Sequence, residues 1–211
     1  MKPKAILFDV DGTLVPFDGI IKHIQKACRH FNVRVPLKKE LMDNIMGYKI
    51  RESIPKLIPE TKSIIKEFEK YYGESYKKDV ESIKPFPYVK PILDWVESEG
   101  MKIGIVTTKS NLMAKTTLDH YKIPYDVIIG FDDVKNRKPH PEPVIKACKL
   151  LKIKPDESMF LGDHPFDIQS AKSAGSVAVG VLDGWGNETN LKEAGADFVV
   201  EDLRSLKKLL E

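Results

Sequence analysis

Cysteine and glutamine are scarce in this 211-residue chain. The two cysteines, Cys28 and Cys148, stand among apolar neighbours in helical patterns and at no metal-ligand spacing, which disfavours a disulfide framework and a thiolate zinc site. Reduced, buried thiols in a cytoplasmic setting are expected instead. Only Gln25 and Gln169 represent glutamine, against 31% charged residues dominated by Lys and Glu, a bias shared with heat-adapted proteins. No apolar run approaches membrane-spanning length, and the N-terminus carries a short strand in place of a charged segment followed by an apolar signal core. A soluble chain with no membrane partner is expected. The net charge of +3, with no basic run interleaved with aromatics, speaks against a nucleic-acid partner. Internal repeats and low-complexity tracts are absent, and the length allows two domains of unequal size.

The stretch Ala5-Ile6-Leu7-Phe8-Asp9-Val10-Asp11-Gly12-Thr13-Leu14-Val15 is the most informative part of what is present. Four apolar residues make a strand patterned for burial on both faces, and two aspartates follow where such a strand has no use for charge. An unpaired buried carboxylate is costly enough to stay neutral, so the pair implies a cation or a dedicated reaction. Gly12 permits a sharp turn off the strand.

From Pro16 the pattern becomes helical. Ile20, Ile21, Ile24, Ala27, Cys28 and Phe31 recur at spacings of three and four and mark one apolar helix face. Pro36 opens a second helix, carried by Leu37, Leu41, Ile45 and Met46 as far as Gly47. A third spans Ile50–Ile58, interrupted by Pro55, and a fourth runs from Thr61 to about Ser82. Pro85 and Pro87 end the helical pattern. Residues 16–85 therefore read as an all-helical insert, with 15 Lys and Arg against 10 Asp and Glu. Residues 1–15 and 86–211 hold 19 against 21. From 86 onward helix and strand alternate, with strands over Lys102–Thr107, Val127–Ile129, Ser158–Leu161, Val177–Val181 and Asp197–Val200. That alternation predicts an α/β fold, a parallel sheet with helices on both faces and sites beyond the carboxyl ends of its strands.

Chemistry-bearing residues fall at those ends. Thr107, Thr108, Lys109 and Ser110 follow the second strand, where a hydroxyl and successive N–H groups form either an anion cradle or a helix cap. The frame Lys138-Pro139-His140-Pro141-Glu142-Pro143 is built to deliver Lys138 ahead of a helix. In Phe160-Leu161-Gly162-Asp163-His164-Pro165-Phe166-Asp167 an apolar strand again ends in an acid, with another acid four residues on. Hard carboxylate donors of this kind suit Mg²⁺, with Asp163 as a ligand and Asp167 as either a ligand or an acceptor behind it.

Asp9-Val10-Asp11-Gly12-Thr13-Leu14-Val15 resembles the first motif of the haloacid-dehalogenase-like hydrolases. Thr107 matches the second motif. The Lys138 frame is similar to the third motif of the phosphoglycolate-phosphatase-like members, and Asp163 with Asp167 to the fourth. The resemblance covers the whole chain and extends to β-phosphoglucomutase-like relatives with a helical cap. It implies a Rossmann-like catalytic core over 1–15 and 86–211 and a cap over 16–85. It also implies roles: Asp9 attacks phosphorus to form an aspartyl-phosphate, and Asp11 serves as acid and then base. Thr107, the Thr108 N–H and Lys138 hold the phosphoryl oxygens, and Mg²⁺ is held by Asp9, the Asp11 carbonyl and Asp163, with Asp167 at or behind the ion. The implied substrate is a small phosphorylated metabolite, as in a phosphoglycolate phosphatase. Pyrophosphate hydrolysis, phosphoglucomutase-type transfer and an idle binding protein on the same fold are the alternatives.

Two departures bear on the substrate. Pro16-Phe17 stands where such relatives commonly carry an acid and a hydroxyl residue, and His164 stands where a hydroxyl residue is common. In the insert, Gly47-Tyr48-Lys49-Ile50-Arg51 is the expected selecting loop, with Gly47 allowing close approach and Lys49 or Arg51 pairing with a second anionic group.

Overall fold

A computed structural model of the chain describes residues 2–45 and 47–211, so Met46, expected in the second helix, lies outside the described residues. The chain divides into two compact units, one of residues up to Pro16 together with Pro85–Glu211, the other Phe17–Lys84. Strand β1 (Ala5–Phe8) opens the first unit and is buried along its whole length.

The second unit holds α1 (Asp18–His30), α2 (Lys38–Ile45), α3 (Ile50–Leu57) and α4 (Ile65–Lys78). Ile24, Leu41, Ile54, Phe68 and Tyr76 close its apolar interior. Buried His23 is bonded on both ring nitrogens, to Ser75 at 3.0 Å and Ser82 at 3.3 Å. Three details differ from the sequence reading. The second helix begins at Lys38, because the Pro36 carbonyl is taken by Gln25. Helix α3 runs through Pro55, giving up one backbone bond, since Ile54 and Ile58 on either side are anchored in the interior. The long fourth helix is shorter than expected: Thr61 closes a separate turn on the Ile58 carbonyl, and Ser82 does the same on Asp79.

The first unit continues with α5 (Val89–Ser98), β2 (Lys102–Val106), α6 (Asn111–His120), β3 (Val127–Ile129), α7 (Glu142–Leu151), β4 (Ser158–Gly162), α8 (Pro165–Ala174), β5 (Val177–Val181), α9 (Glu188–Glu193), β6 (Phe198–Val200) and α10 (Leu206–Leu210). The strands form one parallel sheet in the order β3-β2-β1-β4-β5-β6. Strand order reverses between β1 and β4, and in such a sheet the crevice for a ligand opens there, beyond the carboxyl ends. Phe8 pairs with Ile105 on one side and Leu161 on the other, so the residues just past β1, β2 and β4 emerge side by side. Apolar helix faces cover the sheet, with Val144, Ala147, Cys148 and Leu151 of α7 and Ile168 and Ala171 of α8 in one continuous core. Among the described residues no helix is long and apolar enough to cross a membrane.

Candidate active site

At the reversal point the structure gathers acids from distant parts of the chain. Asp9 follows β1, Asp163 follows β4 and Asp167 lies in the first turn of α8; each offers an oxygen within 4.8 Å of the others, and all three are buried. One ammonium faces them. Lys138 Nζ donates to Asp9 Oδ1 at 2.9 Å, to Asp167 Oδ1 at 2.5 Å and to the Val106 carbonyl at 3.0 Å. The Lys138–Pro139 bond is cis. Burial opposes the Lys138 charge, but Asp167 and Asp9 outweigh it and raise its pKa.

Three buried carboxylates against one ammonium leave negative charge in excess. Desolvation, with the charge of Asp167 adding to it, raises the Asp9 pKa against the pull of Lys138. Asp163 is raised well above the ordinary range by burial and then by repulsion from Asp167 and Asp9. This is the electrostatic signature of a place made for a cation, and an all-oxygen donor set fits Mg²⁺.

Asp163 is held more tightly than its motif alone foretells. Its Oδ1 accepts from the Thr13 hydroxyl at 3.2 Å and its Oδ2 from the Trp185 N–H at 2.8 Å, while its carbonyl accepts from the Gly186 N–H at 2.8 Å. The loop after β5 therefore wraps this one residue. A Cβ on Gly184 would lie 2.1 Å from Asp163 Oδ2, so only glycine lets the loop approach so closely. Sequence reading missed this loop; its signal was Gly184-Trp185-Gly186 three residues past the end of an apolar strand. Asp167 has both oxygens engaged, one with Lys138 and the other with the His164 N–H at 3.0 Å. The His164 ring caps α8, its Nδ1 accepting from the Phe166 N–H at 3.1 Å.

Asp11, two residues after Asp9, enters a tight turn in which Gly12 adopts φ 87° and donates to the Val15 carbonyl at 2.7 Å. Its carboxylate is buried and pairs with Lys109, which sequence reading had placed in the strand-end cluster without a role. Burial, the larger effect, raises the Asp11 pKa while Lys109 opposes it. Thr107 is buried and its hydroxyl accepts the Lys109 N–H at 3.1 Å. Ser110 is the cap of α6, accepting from the Met113 N–H, and partly buried Thr108 lies between. His140 serves its frame: Nδ1 accepts from the Glu142 N–H and the carbonyl accepts from Ser170.

In the helical unit, Gly47 takes φ 75°, Lys49 is the extended residue before α3, and Arg51 lies in the first turn. Arg51 donates through Nε to Glu69 at 2.6 Å. Its guanidinium is thus already matched to an acid of the same unit.

Comparison with known proteins bears on the fold and the family. The family model described as haloacid dehalogenase-like hydrolase matches residues 6–181. The chain is 29% identical to a putative pyrophosphatase PpaX from Caldanaerobacter subterraneus, covering all of this chain and 96% of the relative. It is 31% identical to pyrophosphatase PpaX from Anoxybacillus flavithermus, covering all of this chain and 98% of that one. A crystal structure of a predicted phosphoglycolate phosphatase from Haemophilus somnus superposes with a TM-score of 0.90 at 23% identity, over 100% of this chain and 99% of the other. With its four motifs converging at the strand-order reversal and a family match across most of its length, the chain belongs to the haloacid dehalogenase-like hydrolases.

Proposed function

We propose that the protein is a Mg²⁺-dependent phosphatase that cleaves a small phosphorylated metabolite through an aspartyl-phosphate on Asp9. The observation that carries this reading is the meeting of Asp9, Asp163 and Asp167 with Lys138 at one buried point. Asp9 and Asp163 would hold the ion together with the Asp11 carbonyl, and Asp167 secures Lys138 behind them. When bound, Mg²⁺ supplies charge neutralisation between an anionic nucleophile and an anionic substrate.

The chain's own groups then divide the work. A carboxylate oxygen of Asp9 attacks phosphorus, and Lys138 favours the anionic form of that carboxylate and aligns it. Asp11, two residues on, hands a proton to an alcohol leaving group and takes one from the water that attacks the intermediate. The Thr107 hydroxyl, the Thr108 N–H and Lys138 stabilise the phosphoryl oxygens, where charge gathers in a loose transition state. Gly47, Lys49 and Arg51 remain the residues we assign to substrate selection, and Arg51 would have to exchange its pair with Glu69 to serve there. Two free buried thiols suit a reducing cytoplasmic setting.

A second reading, pyrophosphate as substrate, is favoured by the names of the curated relatives. The deciding experiment is Mg²⁺-dependent phosphate release from phosphoglycolate, pyrophosphate, sugar phosphates and p-nitrophenyl phosphate, with Asp9→Asn as control. The Asp9→Asn protein should keep its circular dichroism and melting profile and release no phosphate. Near-normal turnover by that variant rules out the covalent route.

A further inference from the structure

Lys109 has no part in the reaction as assigned, yet it is built into the site with care. Its side chain is 4% exposed and its ammonium contacts Asp11 Oδ1, a residue 98 positions earlier. Its backbone is pinned at both ends, the N–H on the Thr107 hydroxyl at 3.1 Å and the carbonyl on the Phe131 N–H at 2.9 Å. Desolvating an ammonium is costly, and an exposed lysine would have served solubility as well. The site therefore holds two buried lysines, Lys138 on the nucleophile and Asp167, and Lys109 on Asp11.

We propose that Lys109 is a specificity-determining residue that fits the leaving-group side of the site to a group departing as an anion, and so favours the second reading above, a phosphoric anhydride, over a phosphate ester. This rests on the reading above, in which Asp9 attacks and Asp11 faces the leaving oxygen. In-line displacement puts entering and leaving oxygens on opposite sides of phosphorus, so one side belongs to Asp9 with Lys138 and the other to Asp11 with Lys109. A bond forms between an Asp9 oxygen and phosphorus. The bond from phosphorus to the bridging oxygen breaks, and its electron pair stays on that oxygen, which leaves as inorganic phosphate. Phosphate leaves without taking a proton, and the charge it gathers is what a fixed, desolvated ammonium stabilises. The alcohol of a sugar phosphate takes a proton as it leaves and gains no net charge, so Lys109 does little for it. In the second step the oxygen of water bonds to phosphorus and the phosphorus–Asp9 bond breaks, returning its pair to Asp9. The water proton passes to the Asp11 carboxylate and is released to solvent as the products leave, which restores the unprotonated acid.

The test compares pyrophosphate with glucose 6-phosphate, both with Mg²⁺, in wild type, Lys109→Met and Lys109→Gln. Lys109→Met keeps the buried stem, and Lys109→Gln keeps a hydrogen-bond donor toward Asp11 while removing the charge. For both variants kcat/KM on pyrophosphate should fall by about 100-fold, mainly in kcat, as for loss of one charge-stabilising donor. On glucose 6-phosphate the loss should stay below about 10-fold. Melting curves identify a variant that has lost its fold, in which case the other decides. Equal losses on both substrates would make Lys109 a merely structural residue and overturn the proposal, as would near-wild-type pyrophosphate cleavage by Lys109→Gln or a wild type that prefers the sugar phosphate. Asp9→Asn run alongside separates the two levels: its activity on either substrate defeats the covalent reading, whereas a substrate-independent Lys109 effect defeats only this inference.

Discussion

Replacing Lys138 by Met puts the charge balance of the site directly to the test. The substitution keeps the aliphatic stem that runs beside Phe160, with the ammonium 5.5 Å from the ring centre in the wild type, and removes only the charge and three hydrogen bonds. Removing one partner from a buried ion pair costs about 3–5 kcal/mol, because the partner is left buried and uncompensated. For a chain of this size each kcal/mol moves the melting temperature by about 2–4 °C, so a drop of about 10 °C at pH 7 in EDTA is expected. The pH dependence follows from the same groups. Asp9, Asp11 and Asp163 have folded-state pKa values raised above those of the unfolded chain, so the ion-free protein loses stability as pH rises through the folded values. Lys138 opposes the rise at all three, and without it the folded values climb further. The gap between wild type and variant should therefore widen from pH 5 to pH 8, read by scanning calorimetry in EDTA. A variant that melts within a degree of wild type at pH 7, or a gap that narrows as pH rises, would refute this account of the site.

Calorimetric titration with Mg²⁺ should show Asp163→Ala losing most of its affinity and Asp167→Ala losing less, because Asp167 spends its oxygens on Lys138 and the His164 N–H; equal losses would contradict that division. Gly184→Ala drives a methyl group into Asp163 and should lower Mg²⁺ affinity by about 10–100-fold, and an unchanged titration would show that the loop does not set the position of that carboxylate. Cys28, whose thiol burial pushes up to about 11, and buried Cys148 should both resist iodoacetamide at pH 8 in the native protein and react in denaturant; rapid native labelling of either, read by mass spectrometry, would count against the packing described.

The motif acids were legible in the sequence because burial and charge conflict there. An apolar run that ends in Asp9 or in Asp163 has no structural excuse for the acid, so the anomaly itself pointed to the acids that meet in the candidate site. The parallel sheet was legible from alternation, and each expected strand is present to within a residue at either end. The partner of Lys109 was not legible, since its place at a strand end does not say which acid it meets; only the neighbouring positions of β1 and β2 bring it to Asp11. Helices α9 and α10 escaped for a different reason. They have six and five residues, too few for a period to show, and α9 is specified by its cap, where Asn187 Oδ1 accepts the Asn190 N–H. In the helical unit, the apolar period ran past both ends of α4 because the flanking turns bury residues such as Thr61 and Ile83 without being part of the helix.

The strand that comes first in chain order within the sheet is also a central one. Ala5 pairs with Lys102 on one side and Ser158 on the other, so β1 leaves the ribosome long before either neighbour exists. At ordinary rates of synthesis it waits on the order of ten seconds for β2 and longer for β4, with four apolar residues and both edges unpaired. The contiguous helical stretch Phe17–Lys84 is made in that interval. The setting of Asp163 is completed late, because two of the bonds that hold it wait for the loop carrying Trp185 and Gly186 to emerge. A ribosome-bound chain ending before residue 184 would hold every motif acid and still have no finished place for them.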